Sequence, residues 1–294
     1  MQQNLFSTIG LIGKYSDSGV EETLTGLVGY LRQRERKILL DEATAEVVPG
    51  LGLETASRTE LGRSCDLVIV VGGDGTLLNA VRSLAGHSVP LLGINLGHLG
   101  FLADISPDCM AHCLDEVLAG NYQEEERCLL HAAITRDGEV ISESSAFNDV
   151  VVHKWDIARM IEMETSINGV YVNTIRADGL IVSTPTGSTA YALSGGGPIL
   201  YPSLEALVLV PICPHTMSNR PIVVHSSSTV EVVVAEQSQP YAQVTCDGQV
   251  NLGLTAGDRV VIHTNPEPVR LIHPAGHDHF ELLRAKLHWG RRLA

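Results

Sequence analysis

The 294-residue chain is 44% apolar and 18% charged, a globular composition rather than a disordered one. Its 20 Lys and Arg face 34 Asp and Glu, a formal charge of −14, and 4% aromatics leave little for base stacking, so the sequence excludes the basic, ring-rich footprint of a nucleic-acid binder. No apolar run approaches the roughly 20 residues of a membrane span, and residues 1–15 lack the basic start and apolar centre of a signal peptide. The sequence therefore reads as soluble and cytoplasmic, with neither nucleic acid nor membrane as a partner.

Residues 5–12 form a short apolar run ending at Gly13 and predict a first strand. Ser18 with Glu21 three residues later makes a capping box, and Leu24, Leu27, Val28 and Leu31 follow on one helical face. Residues 37–40 return as a strand. Residues 67–71 are five aliphatics in succession, the mark of a strand covered on both faces. Leu77, Leu78, Val81 and Leu84 recur at helical spacing, and residues 89–94 give another strand. This alternation predicts an α/β domain over residues 1–128, with a Rossmann-like parallel sheet flanked by helices.

After Cys128 the pattern changes. Short strands are punctuated by Asp137-Gly138, Asn168-Gly169 and Asp247-Gly248, each a hairpin dipeptide, and residues 230–234 and 260–263 are β-branched runs. Residues 129–266 therefore read as a second, strand-rich, all-β domain. Within it, residues 206–213 suit a buried strand or a piece of core helix. In the remaining segment, 267–294, Phe280, Leu283 and Leu287 predict a short helix that docks back on the N-terminal domain.

The six cysteines are scattered through a chain large enough to need no disulfide staples. Cys109 and Cys113, with His112 between them, sit at helical spacing with Met110, Leu114 and Val117 and read as core positions, since no second Cys/His pair completes four ligands. His273, His277 and His279 could bind a metal, but Pro274 and Asp278 beside them read equally well as an exposed turn. No carboxylate cluster suggests a built-in metal cage.

The strongest chemical signal is Gly72, Gly73, Asp74, Gly75 and Thr76, between a buried strand and a helix. Glycines let a phosphate approach the backbone, and the helix that follows aims its positive end at the same spot. A tight turn needs one or two glycines but does not explain a carboxylate there. An Asp beside a triphosphate is unfavourable unless it holds a metal or removes a proton. The P-loop pattern fails, since Gly13-Lys14 is followed by Tyr15 and Thr8 stands where its first glycine belongs; G-x-G-x-x-G fails as well. The second signal runs from Thr184 through Ser194 to Gly195, Gly196, Gly197 and Pro198. Its hydroxyls and amides are suited to phosphate and ribose without positive charge.

These two segments, with Asn148-Asp149, Asp178-Gly179 and the Gly97 to Leu102 stretch in the same order and spacing, resemble the bacterial NAD kinase family over nearly the whole chain. The Gly-Gly-Asp-Gly-Thr loop alone is shared with diacylglycerol-type lipid kinases; the Thr-Pro-Thr-Gly-Ser-Thr-Ala-Tyr run is far more specific. One departure is Gly195, where the family usually has alanine. The resemblance implies phosphoryl transfer from ATP to the 2′-hydroxyl of NAD's adenosine ribose, giving NADP, with Asp74 as proton acceptor. Gly72, Gly73, Gly75 and Thr76 would meet phosphate. The NAD site would comprise Asp74, Gly75, Asn148, Asp149, Arg159, Arg176, Asp178, the loop of Thr189, Ala190, Tyr191, Ala192, Leu193 and Ser194, and Gln249. A divalent cation, Mg2+, would arrive with ATP, and the chain would form a homo-oligomer, dimer or tetramer, through the strand-rich domain. A lipid kinase and a non-catalytic dinucleotide-binding sensor are the alternatives. The first should carry a basic or apolar membrane surface, and the second has no need of Asp74.

Overall fold

The computed structural model describes residues 5–14, 18–97, 99–155, 159–235, 242–255 and 257–289. The chain forms two compact units, Met1–Glu126 together with Val269–Ala294, and Arg127–Pro268.

In the first unit the strands, numbered along the chain, are β1 (Thr8–Gly13), β2 (Lys37–Asp41), β3 (Glu54–Ala56), β4 (Leu67–Val71), β5 (Leu91–Ile94), β6 (Tyr122–Arg127) and, from the far end of the sequence, β19 (Val269–Pro274). Among the described residues they form one seven-stranded sheet in the order β3-β2-β1-β4-β5-β19-β6. The pairs from β3 through to β19 are parallel. The helices are α1 (Ser18–Gln33), α2 (Glu42–Val47), α3 (Arg58–Ser64), α4 (Asp74–Ser83), α5 (Met110–Leu118) and α7 (His279–Leu287).

β4 explains the architecture. Leu67, Ile69 and Val71 join Leu24, Leu27 and Leu31 of α1 and Leu114 and Val117 of α5 in one core, while Val68 and Val70, on the opposite face, are equally buried. Each buried aliphatic contributes about 1.5–3 kcal/mol. That far exceeds local propensity, so five in a row can only be a central strand. Sequence reading missed β3, β6 and β19. β6 reads Tyr-Gln-Glu-Glu-Glu-Arg, with no apolar alternation, and is a strand because β19 lies beside it. The helix expected from Leu24 to Leu31 begins at Ser18, whose side chain lies outside the described residues. A reciprocal capping box does occur, between Ser57 and Glu60 at the start of α3.

The second unit holds β7 (Leu130–Arg136), β8 (Glu139–Ala146), β9 (Asp149–Lys154), β10 (Ile161–Ile167), β11 (Val170–Ala177), β12 (Gly179–Ser183), β13 (Ala206–Ile212), β14 (Ile222–His225), β15 (Val230–Val234), β16 (Ala242–Cys246), β17 (Val250–Gly253) and β18 (Arg259–Thr264), with the short helix α6 (Tyr191–Ser194). Among the described residues two antiparallel six-stranded sheets form, β11-β10-β15-β18-β7-β8 and β14-β13-β12-β9-β16-β17. They share a core that includes Ile134, Met163, Val232 and Ile262 from the first and Val152, Leu180, Val182, Leu209 and Val244 from the second. The outer face of β9, β12 and β13, carrying Val151, Ile181, Val208 and Val210, is covered by Ala192 and Leu200. Two-sided cover makes residues 206–212 a strand rather than a helix. The three hairpin dipeptides turn with positive φ at both central residues, 50° and 88° at Asp137-Gly138, 53° and 75° at Asn168-Gly169, 52° and 62° at Asp247-Gly248.

Candidate active site

Asp74 opens α4, with Gly73 as its N-cap in extended backbone. None of Gly72, Gly73 and Gly75 has left-handed backbone, so the triple glycine is there for space. At Gly72 that space is internal, because a Cβ would overlap the Thr76 side chain. The Asp74 carboxylate turns onto the segment after β5. Its Oδ2 accepts the Phe101 N–H at 2.9 Å, and its Oδ1 accepts those of Leu102 and Ala103, each at 3.1 Å. A Cβ at Gly100 would overlap Asp74 Oδ1 and lie 2.9 Å from the Ala103 carbonyl, so only glycine permits this approach. Buried Asn95 steadies the same segment, donating to the Ala103 carbonyl at 3.2 Å and accepting from Gly97 at 3.0 Å. His98 lies outside the described residues. The three donors use about three of the carboxylate's four acceptor directions and leave one on Oδ2.

The second unit repeats the device with Asp247. Its Oδ2 accepts from Phe147 N–H at 3.1 Å and its Oδ1 from Asn148 and Asp149 at 2.7 and 3.3 Å, while its own N–H donates to the Asp149 carbonyl at 2.9 Å. From the other side Thr184 Oγ1 donates to the Phe147 carbonyl at 2.7 Å, and Ser183 Oγ and the Thr184 N–H reach the Asn148 carbonyl at 3.1 and 2.9 Å. At Gly187 a Cβ would overlap the Asn148 backbone. Asn148-Asp149 is thus clamped at the start of β9. Sequence reading took Asp247 only as a turn residue, because nothing local links it to a dipeptide 98 residues away.

This geometry corrects the reading of the hydroxyl-rich run. Ser183, Thr184 and Ser188 are fully buried and spent inside the protein; Ser188 Oγ donates to the Pro185 carbonyl at 2.6 Å and accepts the Leu200 N–H at 2.9 Å. Exposure begins with Thr189 and Ala190 and is greatest at Tyr191 and Ser194, while Leu193 is half-buried and Ala192 faces the core. Arg159, Arg176 and Gln249 are exposed, and Asp178 pairs with Lys154 Nζ at 2.7 Å. Asp149 is 4% exposed, and burial together with the Asp247 charge pushes its carboxyl up to about 7. Near neutral pH it can therefore donate or accept a hydrogen bond.

Two further expectations change. Cys109 is exposed in the turn before α5 and Cys113 only half-buried, so neither is a full core position; all six cysteines are free. The exposed turn is present at residues 275–276, but His273 precedes it on β19 and His277 follows it, and both side chains are turned inward. They are buried beside Asp104 in the first unit and form with it a cluster able to hold a metal ion. Among the described residues no helix is long and apolar enough to cross a membrane.

A carboxylate fixed in a glycine-rich strand-to-helix loop, without the dinucleotide fingerprint, is suited to phosphoryl transfer rather than hydride transfer, and the class is a small-molecule phosphotransferase. Family profiles agree: the ATP-NAD kinase N-terminal domain matches residues 12–122 and the ATP-NAD kinase C-terminal domain residues 147–274. The chain is 51% identical over 288 residues to the NAD kinase of Nitrosococcus oceani, covering 98% of both chains, and 51% identical to that of Pseudomonas entomophila, covering 98% and 97%. Its fold matches yeast NADH kinase complexed with NADH (TM-score 0.91, 24% identity, 99% and 91% covered). It also matches an NAD kinase from Archaeoglobus fulgidus in complex with ATP (TM-score 0.75, 26% identity, 96% and 98% covered). The chain belongs to the NAD kinase family, enzymes that make NADP from NAD and ATP. The lipid-kinase and sensor alternatives find no support in these comparisons.

Proposed function

We propose that the chain transfers the terminal phosphoryl group of ATP to the 2′-hydroxyl of NAD's adenosine ribose, with Asp74 as the proton acceptor. The observation that carries this role is the fixed Asp74 carboxylate, held by Phe101, Leu102 and Ala103 with one acceptor direction of Oδ2 left. Phosphoryl transfer depends mainly on positioning and charge stabilisation. A sugar hydroxyl is a weak acid, so its proton passes to Oδ2 late, as the bond to phosphorus forms.

Gly73, Gly75 and Thr76, at the positive end of α4, receive phosphate oxygens, whereas the Gly72 N–H, expected to do the same, is spent on the Ile94 carbonyl at 2.8 Å. Asn148 and Asp149 bind the dinucleotide, and Asp149 is able to share a proton with a ribose hydroxyl. Thr189, Ala190, Tyr191, Leu193 and Ser194 wrap the dinucleotide, while Ala192, expected among them, is buried behind the loop; Arg159, Arg176, Asp178 and Gln249 complete the contacts. The Archaeoglobus relative's complex with ATP supports ATP as donor. Magnesium enters as part of that substrate, balancing its charge near a chain of net charge −14. The site of action is cytoplasmic, and the working form is a homo-oligomer, dimer or tetramer. The exposed apolar residues Val170 and Tyr171 on β11 and Val140 and Ile141 on β8, the two edge strands of one sheet, support association through the strand-rich unit.

The test supplies purified protein with NAD, ATP and magnesium and reads NADP with an NADP-specific dehydrogenase. Asp74→Asn is expected to keep the fold by circular dichroism and lower kcat by ~10²–10⁴-fold. An unchanged turnover number would remove Asp74 from the chemistry.

A further inference from the structure

Asp104 follows the three residues whose amides hold Asp74, and it meets the far end of the chain. His273 lies on β19 and His277 in the turn that leads to α7. Their Nδ1 atoms stand 3.0 and 2.7 Å from one oxygen, Asp104 Oδ2. The imidazole rings stack with centroids 4.0 Å apart and planes 24° apart. The side chains are 9%, 1% and 4% exposed. Three polar atoms of this group, Asp104 Oδ1, His273 Nε2 and His277 Nε2, are buried with no hydrogen-bond partner. Buried polar groups are almost always paired, so the unpartnered Oδ1 of Asp104, on the carboxylate that both rings face, leaves room for a further ligand there.

We propose that Asp104, His273 and His277 form a binding site for a divalent cation of the zinc and cobalt class, distinct from the magnesium that accompanies ATP. Two imidazoles and a carboxylate suit a borderline cation; magnesium takes oxygen ligands and resists dehydration. Zinc bonds of about 2.0–2.1 Å at tetrahedral angles put ligand atoms roughly 3.4 Å apart. The two Nδ1–Oδ2 separations, 3.0 and 2.7 Å, would open by about 0.4 and 0.7 Å. With Nδ1 on the metal, the ring proton of each histidine stands on Nε2. For His273 that N–H faces Glu125, whose carboxylate oxygen is 3.8 Å away, the kind of outer carboxylate that orients a metal-bound histidine. A cavity of about 350 Å³, lined by Asp104, His277, Asp278 and Glu281 among others, gives a path in and room for a water as fourth ligand.

The bound ion would tie the C-terminal segment to the strip of chain that supports Asp74. α7 already reaches that strip, with Lys286 Nζ 5.7 Å from the centre of the Phe101 ring. This inference does not depend on NADP formation, and its test reads binding directly.

Protein stripped with a chelator, with no nucleotide present, is titrated with Co2+. One Co2+ per chain is expected, with the strong visible band of a tetrahedral nitrogen–oxygen site, displaced by Zn2+ and untouched by excess Mg2+. Zn2+ at about a hundred times its dissociation constant is expected to raise Tm by roughly 5–10 °C. His277→Gln and, as a second variant should the first misfold, Asp104→Asn should abolish both signals. Absence of saturable binding by the unaltered chain, binding retained in the folded variants, or an intense thiolate-to-cobalt band placing the ion on Cys109 and Cys113 would each overturn the proposal.

Discussion

Asp74 and Asp247 do the same mechanical work in the two units. Each carboxylate gathers three successive backbone N–H groups from a distant segment, residues 101–103 in one case and 147–149 in the other. They differ in what surrounds them. Asp74 sits at the first turn of a helix whose positive end favours an anion. Asp247 sits in a hairpin turn beside a second, buried carboxyl, Asp149, and its charge helps to push that group towards neutrality. The same hydrogen-bonding pattern thus serves two ends: in the proposed reaction one carboxylate is the proton acceptor, and the other is a fastener that also tunes its neighbour.

The sharpest way to break this comparison is to remove each charge in turn. Against the ~10²–10⁴-fold loss of kcat expected for Asp74→Asn, Asp247→Asn should leave kcat within about an order of magnitude. It should instead raise KM for NAD, since the loss of one or two charged hydrogen bonds, about 1.5–3 kcal/mol each, loosens Asn148-Asp149. Steady-state kinetics of the pair decide it; equal losses of kcat would make Asp247 a reactant too.

The next effect is on pH. Asp149 has a folded pKa of about 7 against an unfolded value near 3.9, so between these limits the folded chain binds the extra proton. Stability contributed by the group is present below about pH 4 and is lost as pH rises through 7. Asp149→Asn is therefore expected to be more stable than the parent at pH 8, by on the order of 2–4 kcal/mol, with the difference vanishing near pH 4. Urea unfolding across that range measures it. Asp247→Asn should narrow the difference by removing part of the cause.

A smaller effect belongs to the close approach that the second fastener requires. Gly187→Ala drives a methyl into the Asn148 backbone. Overpacking of this kind costs about 1–3 kcal/mol, read as a lowered Tm together with a raised KM for NAD.

Much of the chain was legible because its signals are local. The aliphatic run at residues 67–71, the helical spacing behind it and the three hairpin dipeptides each carry their structure within a few residues, and the glycine loop and the Thr184 segment carry the family. The hydroxyl-rich run was legible as a motif but not as a mechanism. Ser183, Thr184 and Ser188 differ from Thr189 and Ser194 only in burial, and burial is decided by β12 having cover on both faces. β6 was illegible because its six residues are almost wholly polar.

By itself, then, the sequence determined the parallel and antiparallel halves, the turns and the strand-to-helix setting of the glycine loop, since those follow from backbone preference and from apolar periods of two and 3.6 residues. Only the tertiary structure decided that Asp247 clamps Asn148, that Gly100 must yield to Asp74, and that Asp104 meets His273 and His277. Those contacts join positions 26 to 173 residues apart, and no local pattern encodes which distant amide or imidazole will complete a buried carboxylate.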